Sequence, residues 1–420
     1  MQDQHTPAPC DEMATAYDVV MLRNPDISYF GRTNHHEPHK VFGIRQADRL
    51  FHLYAIGQTG TGKSSLLETL AIQDIRAGRG VGVIDPHGDL VERLAANIPE
   101  IRRPDLIYLN VPDPTQPYGY NPLRKVRPDR IPLAASGLLE AMKKLWQHEW
   151  GVRMEHILRN SLYALLEYGE ATLPDVLRIL TDKGFRSRVL SRVTNQQVRE
   201  FWLKEFPNYN PRYRQEAISP IQNKIGAFLA DPKLHRILTN PKEDIRIRHA
   251  MDAGKILLVN LSRGDLGEDS AGLLGALLVT TISLAAFSRS DAPEEARRPF
   301  YLYLDEFQSF TTASIASMVS ELRKYKVALT LAHQHVHQLE PDVRHAVLGN
   351  AGTVIAFRLG AEDATLFAKE FAHVFSADDF VTLPNHHAYI RLMIDGSPSK
   401  AFSSTTLHPI TLEKQGTAGS

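Results

Sequence analysis

The stretch GQTGTGKSS, residues 57–65, follows the short apolar run LYAI and leads into an amphipathic segment, SLLETLAIQDI. It fits the phosphate-loop pattern of Gly, four residues and then Gly-Lys-Ser. Glycines let successive backbone N–H groups surround phosphate oxygens, and the N-terminus of the following helix attracts negative charge. We therefore predict that ATP binds to this loop. The predicted contacts are Gly57, Gln58, Thr59, Gly60, Thr61, Gly62, Lys63, Ser64 and Ser65.

A second motif, FYLYLDE, residues 300–306, is an apolar run that ends in two carboxylates. A buried strand of this kind delivers its last residues to the carboxyl edge of a parallel sheet, where ligands bind. Lys63 would place a positive charge on the phosphates, and the Ser64 hydroxyl would bind Mg²⁺. We predict that Asp305 acts on this metal through water. Glu306 is the predicted catalytic carboxylate, which polarises the water that attacks the γ-phosphate.

A third feature is the segment VALTLAHQHVHQ, in which Gln334 follows another apolar strand. An amide at this position could hydrogen-bond both the γ-phosphate and the attacking water, so we predict that Gln334 senses hydrolysis. His333, His335 and His337 alternate around it. We interpret their spacing as strand and turn rather than as a metal site.

The order of elements predicts an α/β fold with a parallel central sheet. Apolar strands alternate with polar turns and amphipathic helices from about residue 51, stop near residue 121, and resume near residue 256. The intervening stretch has helical patterns broken by prolines, which indicates an inserted all-α domain. The predicted organisation is an N-terminal extension, 1–40, a discontinuous ATPase domain, 41–120 and 251–398, the insertion, 121–250, and a loosely held C-terminal tail, 399–420.

One segment of 19 uncharged residues, SAGLLGALLVTTISLAAFS, is long enough to span a bilayer. The two ATP motifs lie on either side of the insertion and of this segment, yet both must meet at one nucleotide. We therefore predict a buried helix here. The start of the chain has no basic region followed by an apolar one, so we expect neither a signal peptide nor a membrane span in this sequence.

The formal net charge is zero, but it is unevenly distributed. Residues 121–250 contain 23 Lys and Arg against 14 Asp and Glu, a net charge of +9, and the remainder carries −9. This region could contact phosphates and stack bases on its aromatic residues, or it could be a solvated bundle with an aromatic core. For the individual aromatics we favour the core. They are Trp146, Trp150, Trp202, Tyr209 and Tyr213.

Two further features near the N-terminus have simple interpretations. The single cysteine, Cys10, cannot form an intramolecular disulfide, and we expect an exposed thiol. The turn NHHEPHK holds His35, His36 and His39, but it has no suitably spaced carboxylates or cysteines. We interpret it as a solvated loop rather than as a metal site.

The combination of GQTGTGKSSLLE, GVIDPHGDL, YLYLDEFQSF, Gln334 and LGNAGTVIAFRLGAEDA resembles the FtsK/HerA superfamily of hexameric DNA pumps. The resemblance covers about residues 41–394 and is strongest to type IV secretion coupling proteins of the TraG/TraD kind. It implies a RecA-like motor with an inserted all-α domain that takes part in substrate handling. It also implies a ring with single- or double-stranded DNA in its pore and an arginine supplied by the next subunit. By motif position Arg323 matches that arginine best and Arg358 second, although either could equally form a surface salt bridge.

The resemblance implies a homo-hexameric, ATP-driven DNA translocase that functions in conjugation and type IV secretion. Coupling proteins usually begin with transmembrane helices, whereas we find none here. We therefore expect a cytoplasmic protein, and recruitment to the inner membrane by a partner stays open. The alternatives are a HerA-like motor that works with a nuclease or another effector, a secretion ATPase that moves protein, and a nucleotide-gated switch. A secretion apparatus, a relaxosome or a nuclease would be the partner.

Overall fold

The computed structural model describes residues 24–34, 40–146, 150–240, 243–311 and 313–408. The predictions for Cys10, His35, His36 and His39 lie outside these residues. The strands are β1 Ile27–Thr33, β2 Val41–Arg45, β3 Leu53–Ile56, β4 Gly80–Asp85, β5 Leu106–Asn110, β6 Ile256–Asn260, β7 Phe300–Leu304, β8 Val327–His333, β9 Thr353–Ala356, β10 His387–Arg391, β11 Met393–Ile394, β12 Ser397–Pro398 and β13 Phe402–Thr406.

Helices connect most of these strands. They are α1 Gln46–Arg49, α2 Lys63–Arg76, α3 Asp89–Ala96, α4 Ile131–Leu145, α5 Val152–Tyr168, α6 Asp175–Thr181, α7 Lys183–Leu190, α8 Gln196–Glu200, α9 Phe206–Asn208, α10 Pro211–Ala230, α11 Pro232–Thr239, α12 Ile247–Ala253, α13 Arg263–Leu266, α14 Glu268–Ser288, α15 Ala313–Glu321, α16 Pro341–Asn350, α17 Ala361–Glu370 and α18 Ala377–Val381. We call residues 131–239, which contain α4 to α11, the helical segment.

Eleven of these strands form one large, mostly parallel sheet in the order β2-β1-β13-β10-β9-β3-β8-β7-β4-β6-β5, and β11 pairs with β12 in a separate two-stranded sheet. The seven strands from β9 to β5 pair in parallel. The side chains of six of these strands are buried, as expected when helices cover both faces of a parallel sheet, whereas those of the edge strand β5 are mostly half-buried. The predicted α/β class with a parallel central sheet is confirmed.

The two faces of the sheet have separate cores. Leu53 and Ala55 of β3 face a core that includes α2 and α3. Tyr54 and Ile56 point to the opposite face, because successive strand residues alternate sides. There they join a larger core that contains α14 and is continuous with the core of the helical segment. The helical segment is therefore packed against one face of the sheet domain through apolar contacts.

The apolar segment that resembles a membrane span forms α14. Among the described residues, only Glu268–Asp291 is long and apolar enough to cross a membrane, and 78% of its most apolar window is buried. It packs between α4 and the elements that follow β7. Glycines permit close contacts on both sides, since a Cβ on Gly275 would lie 2.2 Å from the Phe310 ring, and one on Gly137 would lie 2.6 Å from Thr280. The prediction of a buried helix is confirmed.

Two segments predicted to lie outside the motor contribute strands to its sheet. β1, in the predicted N-terminal extension, pairs with β2 and β13, and β13, in the predicted C-terminal tail, pairs with β10. The prediction of an extension and a loose tail is therefore wrong for the seven residues of β1 and the five residues of β13. β13 is only partly apolar, so its strand conformation depends on partners distant in sequence.

Candidate functional site

The strand order brings the predicted motifs to one edge of the sheet. β3 lies beside β8, and β8 lies beside β7, so the phosphate loop, Gln334 and the acidic pair follow three neighbouring strands. The carboxyl ends of parallel strands meet at the same edge. The Ser64 Oγ donates a hydrogen bond of 2.9 Å to the Asp305 Oδ2. Motifs that lie far apart in sequence therefore share one site.

The phosphate loop has a backbone that side chains would obstruct. Gly62 has a φ of 121°, and a Cβ on Gly57 would lie 2.6 Å from the Phe357 Cβ. α2 begins at Lys63, and its N-cap, Gly62, provides no side-chain cap. The N–H groups of the first helical turn have no intrahelical acceptor. They are consequently available to phosphate oxygens, as the pattern predicts.

The Lys63 side chain is buried against the loop that it serves. Its ammonium donates to the backbone oxygens of Gly57, at 2.6 Å, and Gln58, at 3.1 Å. Burial lowers the pKa of Lys63, while the nearby carboxylates of Glu306 and Asp305 oppose this shift by favouring the charged form. The site thus holds a desolvated cation beside two acidic groups.

Asp305 is a buried carboxylate among other acids. Burial and the charges of Asp85 and Glu306 raise its pKa to about 6, even though Ser64 and Lys63 act in the opposite direction. A divalent cation would relieve this concentration of negative charge. A hydroxyl and a carboxylate oxygen are suitable direct or water-mediated ligands for Mg²⁺. Ser64 and Asp305 therefore fit the predicted metal.

The Glu306 side chain is oriented by an unusual local backbone conformation and by hydrogen bonds from two side-chain amides. Its φ of 44° lies in the left-handed region, which is unusual for a residue other than glycine. Its Oε1 accepts from the Gln334 Nε2 at 2.8 Å, and its Oε2 accepts from the Gln308 Nε2 at 2.6 Å. Such strain is typical of functional sites, where surrounding contacts hold a side chain in a required position.

The two predicted arginines lie at opposite ends of the parallel strands. Arg358 follows the carboxyl end of β9, and Arg323 precedes the amino end of β8. The Arg358 Nε donates to the Gln58 Oε1 at 3.2 Å, so this side chain contacts the phosphate loop of its own chain. This position favours a role in its own site rather than the predicted role in the next subunit's site. Arg323 is exposed and lies 3.5 Å above the Phe51 ring, just before β3 begins. The predicted role of Arg323 at the nucleotide of a neighbouring subunit stays a prediction.

Sequence reasoning missed two residues that shape the site. Asp85, at the end of β4, accepts hydrogen bonds from the backbone N–H groups of His87 and Leu90, both at 2.8 Å, and orders the turn into α3. The sequence could have indicated Asp85, because a carboxylate ends the apolar strand β4 just as Asp305 follows β7. Gln308 orients Glu306, but no pattern in the sequence distinguishes it.

The alternating histidines after β8 have separate surroundings. His333 is fully buried, hydrogen-bonded to the Tyr54 hydroxyl at 3.2 Å, and burial lowers its pKa to about 3. His335 and His337 lie near Asp363 and Glu362, at 3.4 and 3.5 Å. No group of three or more potential metal ligands occurs among the described residues. The interpretation as strand and turn agrees with these positions.

The aromatic residues of the helical segment are mostly internal. Trp202 and Trp146 are buried, and Trp202 packs against Phe206 at 4.8 Å between ring centroids. The Trp150 indole donates to Glu155 at 2.7 Å. The Arg153 guanidinium lies 4.7 Å from the Tyr213 ring. The favoured interpretation, an aromatic core, describes Trp202 and Trp146 directly.

Comparisons with known proteins agree with the fold. Residues 299–387 match the family model described as the TraM recognition site of TraD and TraG. The solved structure of the bacterial conjugative coupling protein TrwBΔN70 is similar, with a TM-score of 0.62 and 18% identity, covering 88% of this chain and 87% of that one. The structure of TrwB in complex with ADP and Mg²⁺ is also similar, with a TM-score of 0.62 and 19% identity, and the match covers 88% of each chain.

The resemblance to TraG/TraD coupling proteins is confirmed. VirB4 of Thermoanaerobacter pseudethanolicus is also similar, with a TM-score of 0.62 and 14% identity, covering 90% of this chain and 95% of that one. The chain therefore has the RecA-like P-loop fold of TrwB and VirB4. A sequence comparison with curated proteins gave no match.

Replacing the predicted catalytic carboxylate should separate binding from hydrolysis. Glu306→Gln keeps the shape of the side chain but removes the proton acceptor, so we expect kcat for ATP to fall by at least about 100-fold. The affinity for ATP should change little, because the phosphate loop is intact. Steady-state ATPase assays and equilibrium binding of a fluorescent ATP analogue measure both, with the exposed Glu362→Gln as control. Hydrolysis at the wild-type rate would refute the assignment.

The raised pKa of Asp305 implies that this carboxylate destabilises the fold at neutral pH. Its folded pKa of about 6 exceeds its ordinary value of 3.8, so the penalty is complete above pH 6 and disappears as the pH falls towards 4. Asp305→Asn should increase the free energy of unfolding at pH 7.5 by about 1–3 kcal/mol. Denaturant unfolding at pH 7.5 and pH 4.5 measures this, with the exposed Asp342→Asn as control. A variant less stable than wild type at pH 7.5 would contradict the account.

Proposed function

We propose that this protein is an ATPase of the coupling-protein type, which forms a ring and uses hydrolysis to move DNA through a central pore. The observation that carries the ATPase proposal is the convergence of Ser64, Asp305, Glu306 and Gln334 beside Lys63. Two of these contacts are hydrogen bonds of 2.9 and 2.8 Å between residues of different motifs. A nucleotide-gated switch would not require a carboxylate aimed in this way.

In this proposal, the phosphate loop binds and orients the triphosphate. First-turn N–H groups of α2 contact phosphate oxygens, and the Lys63 ammonium exchanges its present loop carbonyls for them. Ser64 and Asp305 would hold Mg²⁺, which neutralises phosphate charge when bound. Arg358, held against Gln58, is close enough to the loop to assist in binding.

Glu306 is the proposed general base. It accepts a proton from the attacking water, and the amides of Gln334 and Gln308 fix the direction of the carboxylate. The water oxygen then forms a bond with the γ-phosphorus as the bond to the ADP oxygen breaks. Gln334 also contacts the terminal phosphate, so its hydrogen bonds would differ between ATP and ADP. An arginine from the neighbouring subunit, which we assign to Arg323, completes the site.

Support for a DNA motor comes from similarity and charge. TrwB is described as a conjugative plasmid coupling protein, and its structures include complexes with ADP and Mg²⁺ and with an ATP analogue. Residues 121–250 of this chain carry a net charge of +9, which suits contact with phosphates. A homo-hexamer, with DNA in the pore, is the proposed assembly.

The proposed partner is a relaxosome protein. The proposed location of this chain is cytoplasmic, beside the secretion apparatus of the inner membrane. The matched family model is described as a recognition site for TraM. Within residues 299–387, β7, β8 and β9 are buried in the sheet. A partner would therefore contact the helices and loops of this segment, α15 to α18, rather than its strands.

Stimulation by DNA tests the proposed cargo. ATPase rates should rise several-fold with duplex or single-stranded DNA at low salt, and the stimulation should weaken at moderate salt because phosphate contacts release counterions. The strand form that stimulates more strongly identifies the cargo. Rates are measured with wild-type protein and with Lys63→Ala, which reports contaminating hydrolysis.

Hydrolysis that is indifferent to every DNA tested, at both salt concentrations, would contradict the DNA motor and favour a motor with protein cargo. Nucleotide binding without hydrolysis above the Lys63→Ala background would instead favour a nucleotide-gated switch.

A further inference from the structure

One lysine of the helical segment reaches the loop that follows the acidic pair. Lys144 lies near the end of α4, and its ammonium donates to the backbone oxygen of Gln308 at 3.0 Å and to the Thr311 hydroxyl. Thr311 in turn donates to the same Gln308 oxygen at 2.9 Å. We call residues 307–311 the coupling loop. Lys144 therefore ties this loop to the helical segment.

The coupling loop also orients the proposed general base. The side chain of Gln308 donates to Glu306 at 2.6 Å, while its backbone oxygen accepts from Lys144. Two hydrogen bonds through a single residue thus connect the helical segment with Glu306. A displacement of α4 would move the Gln308 backbone and, with it, the amide that holds the carboxylate.

Packing makes this connection stiff. The Phe310 ring is fully buried and lies against Gly275 of α14, where a Cβ would come within 2.2 Å. On the other side of α14, Gly137 of α4 lies close to Thr280. α4, α14 and the coupling loop therefore form one closely packed layer, and closely packed interiors transmit small displacements.

The surroundings of Lys144 differ from those of a surface ion pair. Burial lowers its pKa to about 8, and the charge of Glu340 acts in the opposite direction. Among the described residues, no carboxylate lies within salt-bridge distance of its ammonium. Two neutral oxygens of the coupling loop accept its hydrogen bonds instead. A partly desolvated ammonium needs hydrogen-bond acceptors, and the coupling loop supplies them. The contact therefore holds both the lysine side chain and the loop in position.

We propose that Lys144 is a positioning residue through which the helical segment sets the rate of ATP hydrolysis, acting on Glu306 by way of Gln308. This regulation rests on the ATPase activity proposed above. Cargo or a partner that shifts α4 would strengthen or weaken the hold on the coupling loop. The helical segment would then control the chemistry at a site to which it contributes no catalytic residue.

The first test compares neighbouring lysines of α4. Lys144→Met should lower kcat about tenfold, as expected for losing a hydrogen bond from a charged donor, while KM and the dissociation constant for ATP stay unchanged. Lys143→Met is the matched control, because Lys143 is 43% exposed and lies 3.7 Å from Glu155. Lys144→Arg, which keeps a cationic donor, should restore most of the rate.

A double-mutant cycle separates this role from a merely structural one. If Lys144 acts through the Gln308 side chain, then Lys144→Met should change kcat by less than about twofold in a Gln308→Ala background. Hydrogen exchange should also quicken at residues 307–311 in Lys144→Met, but not in Lys143→Met. This measurement does not depend on turnover.

The outcomes distinguish the two proposals. Wild-type protein without hydrolysis overturns both the ATPase and its regulation. Wild-type protein that hydrolyses ATP, combined with a Lys144→Met kcat equal to that of Lys143→Met, overturns only the role of Lys144. Additive effects of Lys144→Met and Gln308→Ala would also overturn it, since the two residues would then act independently.

Discussion

The hydrogen bond of 2.9 Å between Ser64 and Asp305 joins two parts of the α/β domain that lie far apart in sequence. These residues follow β3 and β7, which flank β8, and the bond forms only when all three parallel strands are in register. The chain between them also supplies β4, β5 and β6 of this sheet, so the helical segment and α14 must lie outside the sheet. The helical segment and the buried helix α14 are consequences of this constraint, because neither can separate the phosphate loop from the acidic pair.

The same convergence concentrates charge. Asp305, Glu306 and Asp85 end neighbouring strands, and their mutual repulsion together with burial raises the pKa of Asp305 to about 6. Lys63 offsets part of this cost, and bound substrate and metal would offset more. The positive φ of Glu306 adds backbone strain at the same edge. The fold thus tolerates an unfavourable edge, which the extensive apolar cores on both faces of the sheet stabilise.

Much of this arrangement could be predicted from sequence, because the information was local. The apolar runs of β3, β7 and β8 specify buried strands, and the residue that follows each run is then at the carboxyl edge. Gln308 and Lys144 could not be found in this way. Their roles depend on where a side chain from another segment ends. β1 and β13 were missed for a related reason, since partly polar strands in the antiparallel part of the sheet take their conformation from distant partners. Arg358 lies at the phosphate loop of its own chain because β9 pairs with β3. Sequence patterns do not reveal this pairing.

The most direct test of the account is a structure of the Glu306→Gln variant with ATP and Mg²⁺. The account predicts ATP on the phosphate loop, the metal beside Ser64 and Asp305, and the γ-phosphate between Lys63 and residue 306. In an assembled ring, Arg323 of the adjacent subunit should approach that phosphate. Nucleotide bound elsewhere on the chain, or a metal held by residues other than Ser64 and Asp305, would contradict the central claim.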